Sequence, residues 1–106
     1  MIVTTTETVA GKRIVKTIGL VRGNTIRARH LGKDIVAGLR MLVGGEITEY
    51  TKLMGESREQ AIDRMRDEAK RLGANAVIAT RFTTSMVSSA AAEILAVGTA
   101  VVVEDE

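Results

Sequence analysis

Ten residues near the C-terminus, ILAVGTAVVV from Ile94 to Val103, constrain this chain more than any others. They are too few to cross a bilayer, which takes about 20 apolar residues, and their β-branched content marks a strand. Alternate side chains of a strand point to opposite faces. Ile94, Ala96, Gly98, Ala100 and Val102 therefore share one face, and Leu95, Val97, Thr99, Val101 and Val103 the other. Both faces are apolar, so this strand needs cover on two sides, unlike a strand with one wet face. RIVKTIGLV over residues 13–21 reads the same way, with Ile14, Ile18 and Leu20 on one side and Val15, Thr17 and Val21 on the other.

A chain of 106 residues makes one domain, residues 1–106, with a core of limited size. Tyr50 and Phe82 are its only aromatic residues and it has no Trp, so that core is aliphatic. Glycines supply the punctuation, because there is no Pro. Strands are expected over Ile2–Thr6, Arg13–Val21 and Ile26–Ala28, with turns at Val9–Lys12 and Arg22–Thr25. Leu31, Ile35, Leu39 and Leu42 lie at helical spacing, so a helix is expected over Leu31–Val43, stopped by Gly44-Gly45. A longer helix follows from about Glu46 to Leu72, with Gly73 as its C-terminal cap. Strands over Asn75–Val87 and Glu93–Glu104, joined at Ser88–Ala92, complete an α+β chain. Its expected architecture is a mainly antiparallel sheet with two helices packed on one face.

Two helices cover one face of such a sheet, and the other apolar face then needs a second copy of the chain. A homo-oligomer is the expected solution, and a tightly curled sheet that partly covers itself is the alternative. No signal peptide is legible at the N-terminus, and a cytoplasmic chain is expected. Fifteen Lys and Arg against thirteen Asp and Glu give a net charge of +2, too little to point to nucleic acid. Arg22, Arg27 and Arg29 form a basic patch without interleaved aromatics for base stacking. No membrane partner is expected either.

The long helix carries the residue types that a site needs. Ile47, Thr51, Met54, Ala61, Ile62, Met65, Ala69 and Leu72 gather on one face at about 100° per residue. Glu56, Glu59, Asp63 and Asp67 lie opposite and face water. Arg58 falls inside the apolar stripe if the helix is continuous, and there it needs a partner such as Glu46 or Glu93, because an unpaired buried charge is costly. If the helix breaks at Gly55, Ser57 caps a new helix with Gln60 and Arg58 lies in its exposed first turn. Both readings stand at this point. Tyr50, one turn after Glu46, reads as an edge tyrosine with a buried ring. Arg81 shares a strand face with Val77 and Ala79 by parity.

Other chemistry finds little support. The chain has no Cys and one histidine, His30, four residues before Asp34, so a soft-metal site is poorly supplied. The glycines do not match a phosphate loop, and Ser85, Ser88 and Ser89 lack the context of a nucleophile.

GGEITEYTKLMGESREQAIDRM, RLGANAVIATRF and EILAVGTAVVV, with LVRGNTI and KDIVAGLRMLVGGE, resemble the YbjQ-like proteins over nearly the whole chain. The resemblance implies a dodecin-like subunit that forms a ring, a homopentamer, and a heavy-metal-binding label. The residues that match the family pattern are Arg22, Asp34, Arg40, Glu46, Tyr50, Arg58, Arg81 and Glu93. Of these, Arg22, Glu46, Tyr50, Arg58, Arg81 and Glu93 are the candidates for interface or ligand contacts. Any metal would rest on carboxylates such as Glu46 and Glu93, which favour a hard cation. The leading expectation is a non-enzymatic homo-oligomer that binds a small ligand or ion between its subunits. A heavy-metal-binding protein is the second reading, and an enzyme with a Tyr50, Arg58 and glutamate pocket the third.

Overall fold

The computed structural model describes residues 1–28, 48–88 and 91–106. Among the described residues, five elements run in the order β1 (Ile2–Val3), β2 (Lys12–Ala28), α1 (Thr48–Arg71), β3 (Ala76–Ser88) and β4 (Ala91–Asp105). The strands form one sheet in the order β1-β3-β4-β2. β4 pairs antiparallel with both β2 and β3, and β1 runs parallel to β3 through Ile2–Ala76 and Val3–Val77.

This corrects the expected fold. The sheet is mixed, and the described residues contain one helix. The dodecin-like, ring-forming subunit with two helices on one face is not what they form. Strand propensity is local, whereas the direction of β1 is set by a partner more than seventy residues away. The helix expected over Leu31–Val43 lies outside the described residues.

β2 is also longer than expected, because Arg22–Thr25 is not a turn. Those residues stay in register with Val97–Ile94. Gly23 marks a close approach instead: a Cβ there would collide with the Ala61 carbonyl oxygen and the Met65 amide nitrogen of α1. A glycine read as punctuation is thus the point where the helix backbone lies against the sheet.

α1 is continuous through Gly55 and runs above β2 and β4. It buries Ser57, Ala61, Met65 and Ala69 against Val21, Val77, Ile94, Ala96 and Ala100. Gly73, at φ +88°, ends it as expected, and Ala74 N–H donates to Ala69 O at 3.0 Å. Ser57 does not cap a helix. Its hydroxyl donates back to Leu53 O at 2.9 Å, while Thr25 Oγ1 donates to Ser57 O at 3.2 Å.

The two faces of β4 emerge as the alternation requires. Ile94, Ala96 and Ala100 lie under α1, and Val101 and Val103 form a second small core with Ala76 and Ile78 on the opposite face. Val9 packs against that second core, so the N-terminal segment covers part of the face for which a second copy was expected. Further along, the face has no cover from described residues. Leu20 and Ile26 are 68% and 58% exposed there.

Strand irregularities explain two further differences. A register shift between Thr17 and Gly19 separates Ile18, which packs toward α1, from the exposed Leu20. A second shift between Ile78 and Arg81, with Ala79 at φ +53°, turns Arg81 to the face of Ile78 instead of that of Val77. Parity counts fail after a bulge.

Candidate functional site

Residues directly opposite one another in a sheet share a face. On the face away from α1, the register therefore sets Arg22 of β2 and Arg81 of β3 on either side of Val97 of β4. With strands about 4.8 Å apart, the two arginine backbones lie roughly 10 Å from each other. The next row is Asn24, Leu95 and Thr83, and the one after it Ile26, Glu93 and Ser85. The result is a shallow strip with an apolar floor of Leu95 and Val97, two guanidinium groups at one end and a carboxylate at the other.

Each charged group is held differently. Arg81 donates through Nη1 to Thr5 O at 2.9 Å and to Thr80 O at 2.8 Å, which ties β3 to the segment after β1 and leaves its other N–H groups uncommitted. The Arg22 guanidinium makes no hydrogen bond or ion pair among the described residues, although its backbone N–H meets Glu68 Oε2 at 3.4 Å. Glu93 is half-buried and accepts a hydrogen bond from Asn24 Nδ2 at 3.0 Å. Two free cationic edges above an apolar floor can take an anionic group by charge-assisted hydrogen bonds.

Of the six candidate residues, the sheet thus brings together Arg22, Arg81 and Glu93. Arg58 stays apart. It is exposed on α1, on the other side of the sheet, although the helix is continuous. The buried residues Ser57, Ala61, Met65 and Ala69 follow an i, i+4 row, which winds about 40° around the helix every four residues. At the level of Ser57 the contact line therefore lies about 100° away from Arg58, and a fixed-axis projection misses that drift. Tyr50 falls in the first turn of α1, and Glu46 lies outside the described residues. The expected pocket of Tyr50, Arg58 and Glu46 or Glu93 does not form between Arg58 and Glu93, which lie on opposite sides of the sheet.

Sequence reasoning missed Asn24, which braces Glu93, and Arg64 and Glu68, which reach from α1 to β2. The signal for Asn24 was present in the alternation of Leu20, Arg22, Asn24 and Ile26, but the RGNT stretch hid it. Thr80, 4% exposed, keeps its Oγ1 without a hydrogen-bond partner beside the Ala79 bulge.

Among the described residues the donor set does not suit a heavy metal. Thiolates are absent from the whole sequence, and no three His, Asp or Glu side chains gather among the described residues. Glu93, the carboxylate on the strip, is engaged by Asn24. Among the described residues no helix is long and apolar enough to cross a membrane.

A family model named YbjQ and described as "Putative heavy-metal-binding" matches residues 1–104. A UPF0145 protein of Methanosarcina acetivorans is 61% identical over 101 residues, which cover 95% of each chain. UPF0145 protein DET1617 of Dehalococcoides mccartyi is 62% identical over 104 residues, 98% of this chain and all of the relative. The crystal structure of a protein of unknown function from Pediococcus pentosaceus, assigned to the DUF74 family, aligns over 98% of each chain with a TM-score of 0.64. At 18% identity, that likeness speaks for the fold alone.

Proposed function

Because the chain belongs to the YbjQ-like family of UPF0145 proteins, we propose that it is a cytoplasmic homo-oligomer whose copies hold a small ligand with an anionic group where they meet. The observation that carries this reading is the row Arg22, Val97 and Arg81 on the sheet face away from α1, beyond the part that Val9 covers. Apolar flanks such as Leu20 and Ile26 favour closure by another subunit, and the arginines favour an anion in the closed space. Five copies is the number that the family resemblance implies.

A heavy-metal role is the description that the family carries, and it comes to this chain as the second reading. It would need donors beyond those described here, since Glu93 alone offers one carboxylate. Hard cations would suit it better than soft ones.

Native mass spectrometry of the protein as isolated reads copy number and retained ligand together. Titration with inorganic phosphate, followed by calorimetry, then tests the arginine row. Saturable binding that weakens roughly tenfold or more in Arg22→Gln is expected, since hydrogen bonds to charged groups contribute about 1.5–3 kcal/mol. A monomer at every concentration removes the assembly. Binding that ignores Arg22→Gln removes the site. Stoichiometric, saturable zinc or copper uptake would favour the second reading.

A further inference from the structure

The strip on the sheet face away from α1 has two chemically opposite ends. Arg22 and Arg81 flank Val97, and four residues back along β4 Glu93 stands between Ile26 and Ser85. At about 3.3 Å per residue, these two rows lie roughly 13 Å apart. Between them the floor is Leu95, with Asn24 and Thr83 on either side.

The arginine end is presented at a cost. Arg81 reaches this face through the register shift between Ile78 and Arg81, where Ala79 takes φ +53°. A residue with a Cβ is strained in that region, and strain of this kind clusters at sites that hold ligands. Thr5 O and Thr80 O hold one nitrogen of the Arg81 guanidinium, which fixes its orientation. A carboxylate is filled by the fork of a single arginine, whereas a phosphate has oxygens for two.

The glutamate end lacks a counter-charge. Glu93 is half-buried, and its described partner is the neutral Asn24 amide, with Nδ2 at 3.0 Å. Salt bridges among the described residues join Lys12 to Asp105, Arg13 to Glu104 and Arg66 to Asp63, and none reaches Glu93. A carboxylate has about four acceptor sites, so Glu93 has capacity left. Once the strip is closed over, Glu93 without a cation carries the cost of an unpaired buried charge. A ligand that is only an anion with an apolar body leaves that cost in place. One with an amine at its far end removes it.

Charge balance points the same way. Two arginines against one glutamate leave the strip with a single net positive charge. A phosphate monoester carries about −1.5 to −2 at neutral pH. With a protonated amine added, the ligand as a whole comes close to neutralising the strip.

We propose that the strip takes a small phosphate monoester with an amine at its far end. The phosphate lies between Arg22 and Arg81, the apolar body over Val97 and Leu95, and the amine at Glu93. This rests on the anionic-ligand reading above, to which it adds a second recognition end and a length.

Calorimetric titration of the full-length protein with four probes tests it: inorganic phosphate, phosphoethanolamine, octyl phosphate, and aminooctyl phosphate with its amine at the chain end. The extended aminooctyl chain matches the distance between the two rows. It should bind the wild type about tenfold or more tighter than octyl phosphate, the scale of one charged hydrogen bond. Phosphoethanolamine is too short to reach Glu93 from the arginines and should gain nothing over inorganic phosphate. Glu93→Gln keeps an acceptor for Asn24 and loses the charge. In that variant the advantage of the amine should disappear, while octyl phosphate binds at least as well as before. Octyl phosphate binding the wild type as tightly as aminooctyl phosphate overturns the two-ended site and leaves the anionic-ligand reading standing. So does an amine advantage that survives in folded Glu93→Gln. If Glu93→Gln fails to fold, the comparison of the four probes on the wild type decides alone. Failure of every phosphate probe to bind overturns both readings.

Discussion

At Gly23 a missing side chain decides where the helix lies. The nearest atoms to a Cβ there belong to the backbone of α1, at Ala61 and Met65, so no rotamer change relieves the contact. Gly23→Ala is expected to cost about 3 kcal/mol, the upper end for overpacking, and urea denaturation reads it as a lower midpoint with an unchanged slope. Little of this was legible, because a glycine between Arg22 and Asn24 carries the same local signature as a turn. Arg58 and Arg81 teach the same lesson. One is displaced from its expected surroundings by the drift of an i, i+4 contact row, and the other by a single bulge at Ala79. The end of the sheet offers a different residue-scale expectation. The hydrogen bond from Lys12, and then its charge, hold the Asp105 carboxyl below its usual value of 3.8. A depressed folded pKa stabilises the protein above the unfolded value and loses that contribution as pH falls through the folded one. The difference in melting temperature between wild type and Asp105→Asn should therefore be small at pH 6, given the exposure of the pair. It should shrink as pH falls below 3.8 and vanish once Asp105 is protonated in the folded protein as well.

Among the elements, α1 does two jobs. One stripe packs Ser57, Ala61, Met65 and Ala69 on the sheet, and Arg64 and Glu68 along its flank close the edge of β2. The apolar stripe was largely legible from spacing: Ala61, Met65 and Ala69 are buried as expected, while Leu72 lies half exposed beyond the helix. The flank was not legible, because exposed arginines and glutamates on a helix look alike until a strand edge lies beside them. Removing both caps with Arg64→Ala/Glu68→Ala should cost about 2 kcal/mol, near 1 kcal/mol for each hydrogen bond. It should also expose Arg22 N–H and Asn24 C=O to other strands. Light scattering during storage at 37 °C should then rise faster in the double variant than in Glu59→Ala, which alters the same helix away from that edge. Equal rates would mean that the caps do not protect the strand. β4 was the most legible strand, since its alternation runs without interruption. β1 and the bulges of β2 and β3 were the least, since each is set by a partner distant in the chain.

For the whole molecule, shape bears on stability. β2 has seventeen residues, which at about 3.3 Å each span roughly 56 Å, close to the longest dimension of 55 Å. The radius of gyration is 17.2 Å, against about 13 Å for a compact chain of this length. Long, thin subunits bury little on their own, and here the apolar residues Leu20, Ile26, Phe82 and Met86 lie exposed along the strands. If these surfaces meet other copies, folding and association are linked, because the partner binds the folded subunit and not the unfolded chain. Melting temperature must then depend on protein concentration. A hundredfold dilution changes the association contribution by about 1.4 kcal/mol per subunit in a pair, half of the 2.7 kcal/mol that a hundredfold excess supplies. For a chain near 100 residues this corresponds to a fall of roughly 5 °C or more. Calorimetry across that range should show the fall in the wild type. A wild-type melting temperature that does not move with dilution would mean that the elongated subunit carries its stability alone, through the small Val, Ala and Met core beneath α1.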